Sequence, residues 1–235
     1  MRLFGSLIGI VFFSSYLCLS ELTQAQVVCP KSVATVRDSV LAEANKAILQ
    51  SVYKDLGCDI LLDELPGRRG IASFNNHIVD GEMYRLEVAE PRYTREFVRS
   101  EVPLFQHSGS LWLHPDQALR ENLPTGYTLG IVWHEQYMKG RRGRIFNTVE
   151  EIFNSYNNRE IGSFVSSDFS VLNRISNGGF DVVPDQGEGI MSAPLYHYLG
   201  AEYSPFMKLF SDHLRKYSPF AHMEPKMAAG KNKSE

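Results

Sequence analysis

The chain is poor in the features that mark nucleic-acid binding, metal binding and hydrolytic catalysis. Basic runs are missing, and the net charge is −3, so the electrostatic footprint of a nucleic-acid partner is lacking. The local cluster of Lys139, Arg141, Arg142 and Arg144 reads as a solvated loop. No G-x-S-x-G elbow, phosphate loop or dinucleotide glycine fingerprint occurs. His107 and Ser110 lie together in HSGS, but neighbours in sequence do not make a triad. His134-Glu135 opens like a zinc-protease helix, yet Met138 stands where the second histidine is needed. Asp63 and Glu64 point to opposite faces of a strand and cannot share a proton-transfer task. Asp212, His213 and His222 read as surface groups. No catalytic residue, cofactor or metal is therefore expected, and the chain reads as a non-enzyme.

Only one hydrophobic run is long. Leu3–Leu19 follows the single early charge Arg2 and precedes Thr23 and Ala25, small residues at −3 and −1. This is the pattern of a secretory signal cleaved after Ala25, giving a signal peptide over 1–25 and a periplasmic destination. A spanning helix needs about 20 apolar residues, and this run falls short. Cysteine is scarce, with three in 235 residues. Two follow the signal, Cys29 and Cys58, and an oxidising compartment favours pairing them. A single helix between them would hold them roughly 40 Å apart, beyond the Cα reach of about 7 Å. A strand–helix–strand unit would bring them together; two buried free thiols are the alternative.

The remaining chain alternates strands with helices. Asp38 or Ser39 caps a helix to Leu56, with Leu41, Ala44, Ile48 and Val52 on one face and Gly57 as the stop. Strands are expected at 59–65, 77–88, 98–105, 110–114, 127–133 and 180–185. Helices are expected at 68–76, 115–122, after Ser167 (with Phe169, Leu172 and Ile175 inward), at 187–199 and at 204–217. The tail over 224–235 is polar and expected to be disordered. Alternation of this kind means an α/β protein with mostly parallel strands, which binds ligands beyond the carboxyl ends of its strands. Near those ends stand Arg68, Arg69, Glu82, Tyr84, Arg85, His134, Glu135 and Asp185. Guanidinium groups meet carboxylates with paired bonds, and an acid meets an amine.

The order of these segments resembles the bacterial extracellular solute-binding proteins of family 3, with the periplasmic binding protein type 2 fold. The resemblance is carried by LAEANKAILQSVYKDLGCDILLDELPGRRGIASFNNHIVDGEMYR, by SDFSVLNRISNGGFDVVPD and by PLYHYLGAEYSPFMKLFSDHLRKY, and spans roughly 33–217. It implies two hinged α/β lobes, 27–104 with 191–220 and 105–190, with a small polar solute between them. An amino acid or small carboxylate would be held by Arg69, Glu82, Tyr84, Arg85, His134 and Asp185, for a membrane transporter or a sensor. A monomer is implied. A sensory or interaction module without a soluble ligand is the alternative. Two stretches depart from the family pattern. VVCPKSVATVRD lacks the aromatic ligand loop of typical members, and 140–165 matches poorly.

Overall fold

The computed structural model describes residues 27–223. The expected signal peptide and the expected disordered tail lie outside the described residues. Among the described residues, no helix is long and apolar enough to cross a membrane.

Among the described residues the first element is a buried strand. β1 (Ser32–Val36) is SVATV, β-branched and buried through its centre. Ser39 then caps α1 (Val40–Asp55), its hydroxyl accepting from the Ala42 amide at 3.2 Å. Gly57 takes φ +77°, the left-handed turn that glycine tolerates, and ends the helix. The return brings β2 (Leu61–Leu65) parallel to β1. Cys29 and Cys58 consequently meet across the unit and form a disulfide, with Cα atoms 5.6 Å apart. α2 (Gly67–Asn75) leads to β3 (Gly81–Leu86), parallel to β1 on its other side. A 3-10 turn (Glu87–Arg92) and the short β4 (Phe97–Arg99) follow.

The second half repeats the scheme. α3 (Gln117–Asn122), β6 (Thr125–Thr128), α4 (Val132–Met138), β7 (Gly143–Phe146), α5 (Val149–Asn157), β8 (Ser163–Ser167) and α6 (Asp168–Ser176) succeed one another. β6 is parallel to both β7 and β8. Two long strands join the halves: β5 (Phe105–Leu113) and β9 (Asp185–Gly200). They run antiparallel to one another, and the strand order is β2-β1-β3-β9-β5-β8-β6-β7. α7 (Ser204–Tyr217) returns to the first half, where it packs against α1 and β9.

Separate apolar cores serve the two ends. Leu49, Tyr53, Met83, Leu199, Phe206 and Phe210 fill one; Trp112, Ile152, Phe153, Tyr156 and Phe164 fill the other. A mixed α/β sheet bridged by two crossing strands is the two-lobed architecture expected of a periplasmic binding protein type 2 fold.

Four local expectations need correction. Residues 187–199 are not helical; they belong to β9. The stretch 180–184 is irregular, and its strand begins only at Asp185. The strand expected over 127–133 stops at Thr128 and gives way to α4. On α6 the buried residues are Ser170 and Val171, whereas Leu172 is 54% exposed.

Candidate functional site

A cavity of about 120 Å³ lies where the two halves face each other. Its wall combines the end of β1 and start of α1, the end of β3, the β6–α4 connection and the β8–α6 connection. These are carboxyl ends of strands, the position where α/β sheets take ligands.

On the first half, β3 supplies Tyr84 and Arg85 to the wall. Glu82 is buried, and its carboxylate accepts from Arg85 Nη2 at 2.7 Å and from the Tyr93 hydroxyl. Residues three apart on a regular strand face opposite sides. Here the β3–β9 register slips between Glu82 and Arg85, and this bulge lets the two side chains meet. Gly70 of α2 makes room above them. A Cβ at that position would stand 2.7 Å from Glu82 Oε1 and 2.8 Å from Arg85 Nη2. Burial works against the Arg85 charge, but Glu82 outweighs it and holds the guanidinium above its ordinary pKa. Burial also pushes the Tyr84 phenol up to about 12. The hydroxyl of Ser39, the α1 cap, lies beside it.

On the second half, α4 supplies Trp133 and His134. His134 is 1% exposed. The Thr128 amide donates to its Nδ1 at 3.2 Å, so the neutral ring carries its proton on Nε2. Nε2 has no partner among the described residues. Burial, with His107 nearby, lowers the His134 pKa to about 3. His107 itself is lowered to about 4 by burial, with Asp168 acting weakly in the opposite sense. The Trp133 ring stands edge-on to His134 at 4.0 Å. It fits only because β5 carries glycine at 109: a Cβ there would fall 2.3 Å from the indole. From β8 and α6 come Ser166, Ser167 and Ser170; the buried Ser166 hydroxyl has no partner among the described residues.

The two halves are also tied together. Arg68 of α2 bonds Glu135 of α4 at 2.5 Å, and Arg92 stands 3.7 Å from the same carboxylate. The Gly130 amide donates to it at 2.8 Å. Burial opposes ionisation of Glu135, but the Gly130 amide and the guanidinium groups outweigh it, leaving the carboxyl below its usual range.

Of the six residues expected to hold a solute, Tyr84, Arg85 and His134 share this wall. Glu82 stands next to it through Arg85. Arg69 is exposed on α2 and does not line the cavity. Asp185 does not line it either: it is exposed at the start of β9, opposite Leu113. Asp185 was expected at the end of a short strand, where it would have faced the cleft; it instead begins a long one. Sequence reasoning missed Trp133, which read as a strand terminus, and Ser166, whose serine-rich surroundings carried no pattern.

No family model and no curated protein matches the chain. Solved structures do. The GluR0 ligand-binding core from Nostoc punctiforme, in complex with L-glutamate, superposes with a TM-score of 0.66 at 16% identity, covering 83% of this chain and 97% of that one. An ancestral arginine-binding protein bound to arginine gives 0.67 at 12%, covering 84% and 97%. A putative L-cystine ABC transporter structure from Listeria monocytogenes gives 0.63 at 14%, covering 80% and 90%. At such identities the likeness establishes the fold: this chain shares the two-lobed architecture of these structures.

Proposed function

We propose that the protein captures a small solute between its lobes and hands it to a membrane transporter or reports it to a sensor, acting in the periplasm as a monomer and without catalysis. The lobes are 27–104 with 191–220, and 105–190. Tyr84, Arg85 and His134 contact the solute, and Glu82 positions Arg85. The observation that carries this reading is the cavity itself: strand ends from both halves build one wall, and a salt bridge spans the gap. Hinge closure around a ligand is the motion such a design serves.

The direct test is thermal or urea melting against a panel of amino acids and small carboxylates. A solute held at 100 times its Kd adds about 2.7 kcal/mol of stability. A flat response over the whole panel would remove the capture reading. It would favour instead a sensory or interaction module that needs no soluble ligand. One feature supports that second reading: Arg85, the wall's cation, already bonds Glu82 of its own strand.

A further inference from the structure

The wall of the cavity is informative about ligand charge. Among the described residues, no aspartate or glutamate lines it. Two acids of the second half stand behind it. Asp168, at the start of α6 with a buried Oδ1 that has no partner among the described residues, lines a neighbouring cavity. Glu135 is taken up by Arg68 and the Gly130 amide. An ammonium group entering this space would lose its hydration and find no carboxylate in the wall to replace it, since Glu82 is already taken by Arg85 and Tyr93. The wall does offer donors. His134 Nε2–H and the Ser166 hydroxyl are buried and unpartnered among the described residues. Arg85 is the charged side chain of the wall.

Two helix starts add to this. The cap of α1, Ser39, and the cap of α6, Ser167, both line the cavity. Their first-turn amides carry partial positive charge, which favours an anion. Most of the remaining wall is apolar, with Val36, Leu41, Ile71, Leu86, Ile131 and Trp133 in it. One water needs about 10–15 Å³ of such space, so a cavity of about 120 Å³ takes a compact solute of several heavy atoms.

We propose that the solute is a small monocarboxylate with an apolar body and no ammonium group. Its carboxylate meets His134 Nε2–H, the Ser166 hydroxyl and Arg85, and its body lies against Trp133 and the aliphatic wall. The proposal rests on the capture reading above and narrows it.

The test is calorimetric titration of the full processed chain with matched pairs: propanoate and alanine, isovalerate and valine, phenylacetate and phenylglycine. The amides of the same acids serve as uncharged controls. At least one carboxylate is expected to bind about tenfold or more tightly than its amino acid and its amide, the factor expected from one charge-assisted hydrogen bond. Equal or tighter binding of the amino acids overturns the monocarboxylate proposal and leaves capture standing. No binding by any member, with a wider amino-acid panel also silent, overturns both.

Two variants locate the contact. Ser166→Ala removes a hydroxyl that bonds nothing among the described residues, and should weaken the preferred carboxylate roughly tenfold with an unchanged melt in its absence. His134→Phe keeps the ring and removes the donor, and should weaken it at least as much. Unchanged affinity in Ser166→Ala, or in a folded His134→Phe, places the carboxylate elsewhere and overturns the assignment.

Discussion

Gly70 sets how closely α2 can lie over the Glu82–Arg85 pair. Any side chain there meets two charged atoms at under 3 Å, and neither can retreat without breaking a buried bond. Gly70→Ala is therefore expected to cost about 1–3 kcal/mol, the range for overpacking a closed site, despite the helix preference of alanine. A urea midpoint equal to that of the parent would show that the pair has room to move. Buried imidazoles set a second residue-scale dependence. His107, His134 and His197 all have pKa values lowered to about 3 or 4 by burial. For His197 burial prevails over its backbone contacts: the Met83 carbonyl, 3.0 Å from Nδ1, favours the protonated ring but does not offset the loss of water. The unfolded chain takes up these protons near pH 6.5, whereas the folded chain resists until near pH 4. Stability is complete above pH 6.5 and is lost as pH falls towards 4, by up to about 1.4 kcal/mol per pH unit for each histidine. Urea midpoints that stay constant from pH 7 to pH 4.5 would contradict this.

At the scale of elements, most of the first lobe was legible and the crossing strand was not. Ser39 as cap, Gly57 as stop and the limits of α7 follow from local chemistry, since each depends on backbone groups that must be satisfied within a few residues. β9 depends instead on distant partners. Ile190, Pro194 and Leu195 with Leu199 read at helical spacing, and the buried run from His197 to Gly200 shows no alternation. The strand is covered on both faces there, and period two disappears. Pro194 is tolerated because the β3 ladder begins only at Leu195, so one edge is open at that point. The candidate site was half legible for the same reason. Arg85 stands at the end of β3, close in sequence to its motif, whereas His134 and Trp133 reach the wall from α4 and Ser166 from the end of β8, through folding of the second half. The disulfide is an element-scale device with a clear measurement. It ties the start of β1 to the end of α1 across 29 residues. Replacing both cysteines by serine should remove about 3.6 kcal/mol, by the loop-entropy relation, without changing the ligand preference of the folded protein. A loss well under 1 kcal/mol would show that the unfolded chain already holds this unit together.

At the scale of the whole molecule, Glu135 is a charged side chain through which the halves hold each other, beside the apolar contact of Leu86 with the Trp133 cluster. It collects Arg68 and Arg92 from one half and the Gly130 amide from its own. An exposed pair of this kind contributes little to global stability, about 1 kcal/mol or less, because Arg68 is largely in water. A hinge amplifies so small a term. Open and closed forms differ by only a few kcal/mol, and about 1 kcal/mol shifts their ratio roughly fivefold. Glu135→Gln keeps the shape and a weak acceptor while removing the charge. It should leave the melting temperature nearly unchanged, yet enlarge the radius of gyration of the ligand-free protein in small-angle scattering. The parent should respond in the same direction as salt rises from 0.1 M towards 1 M, where the screening length falls from about 10 Å to 3 Å, and the variant should respond less. If the variant and the parent scatter identically at low salt, closure is set by the apolar wall around Trp133, and the carboxylate only decorates the rim.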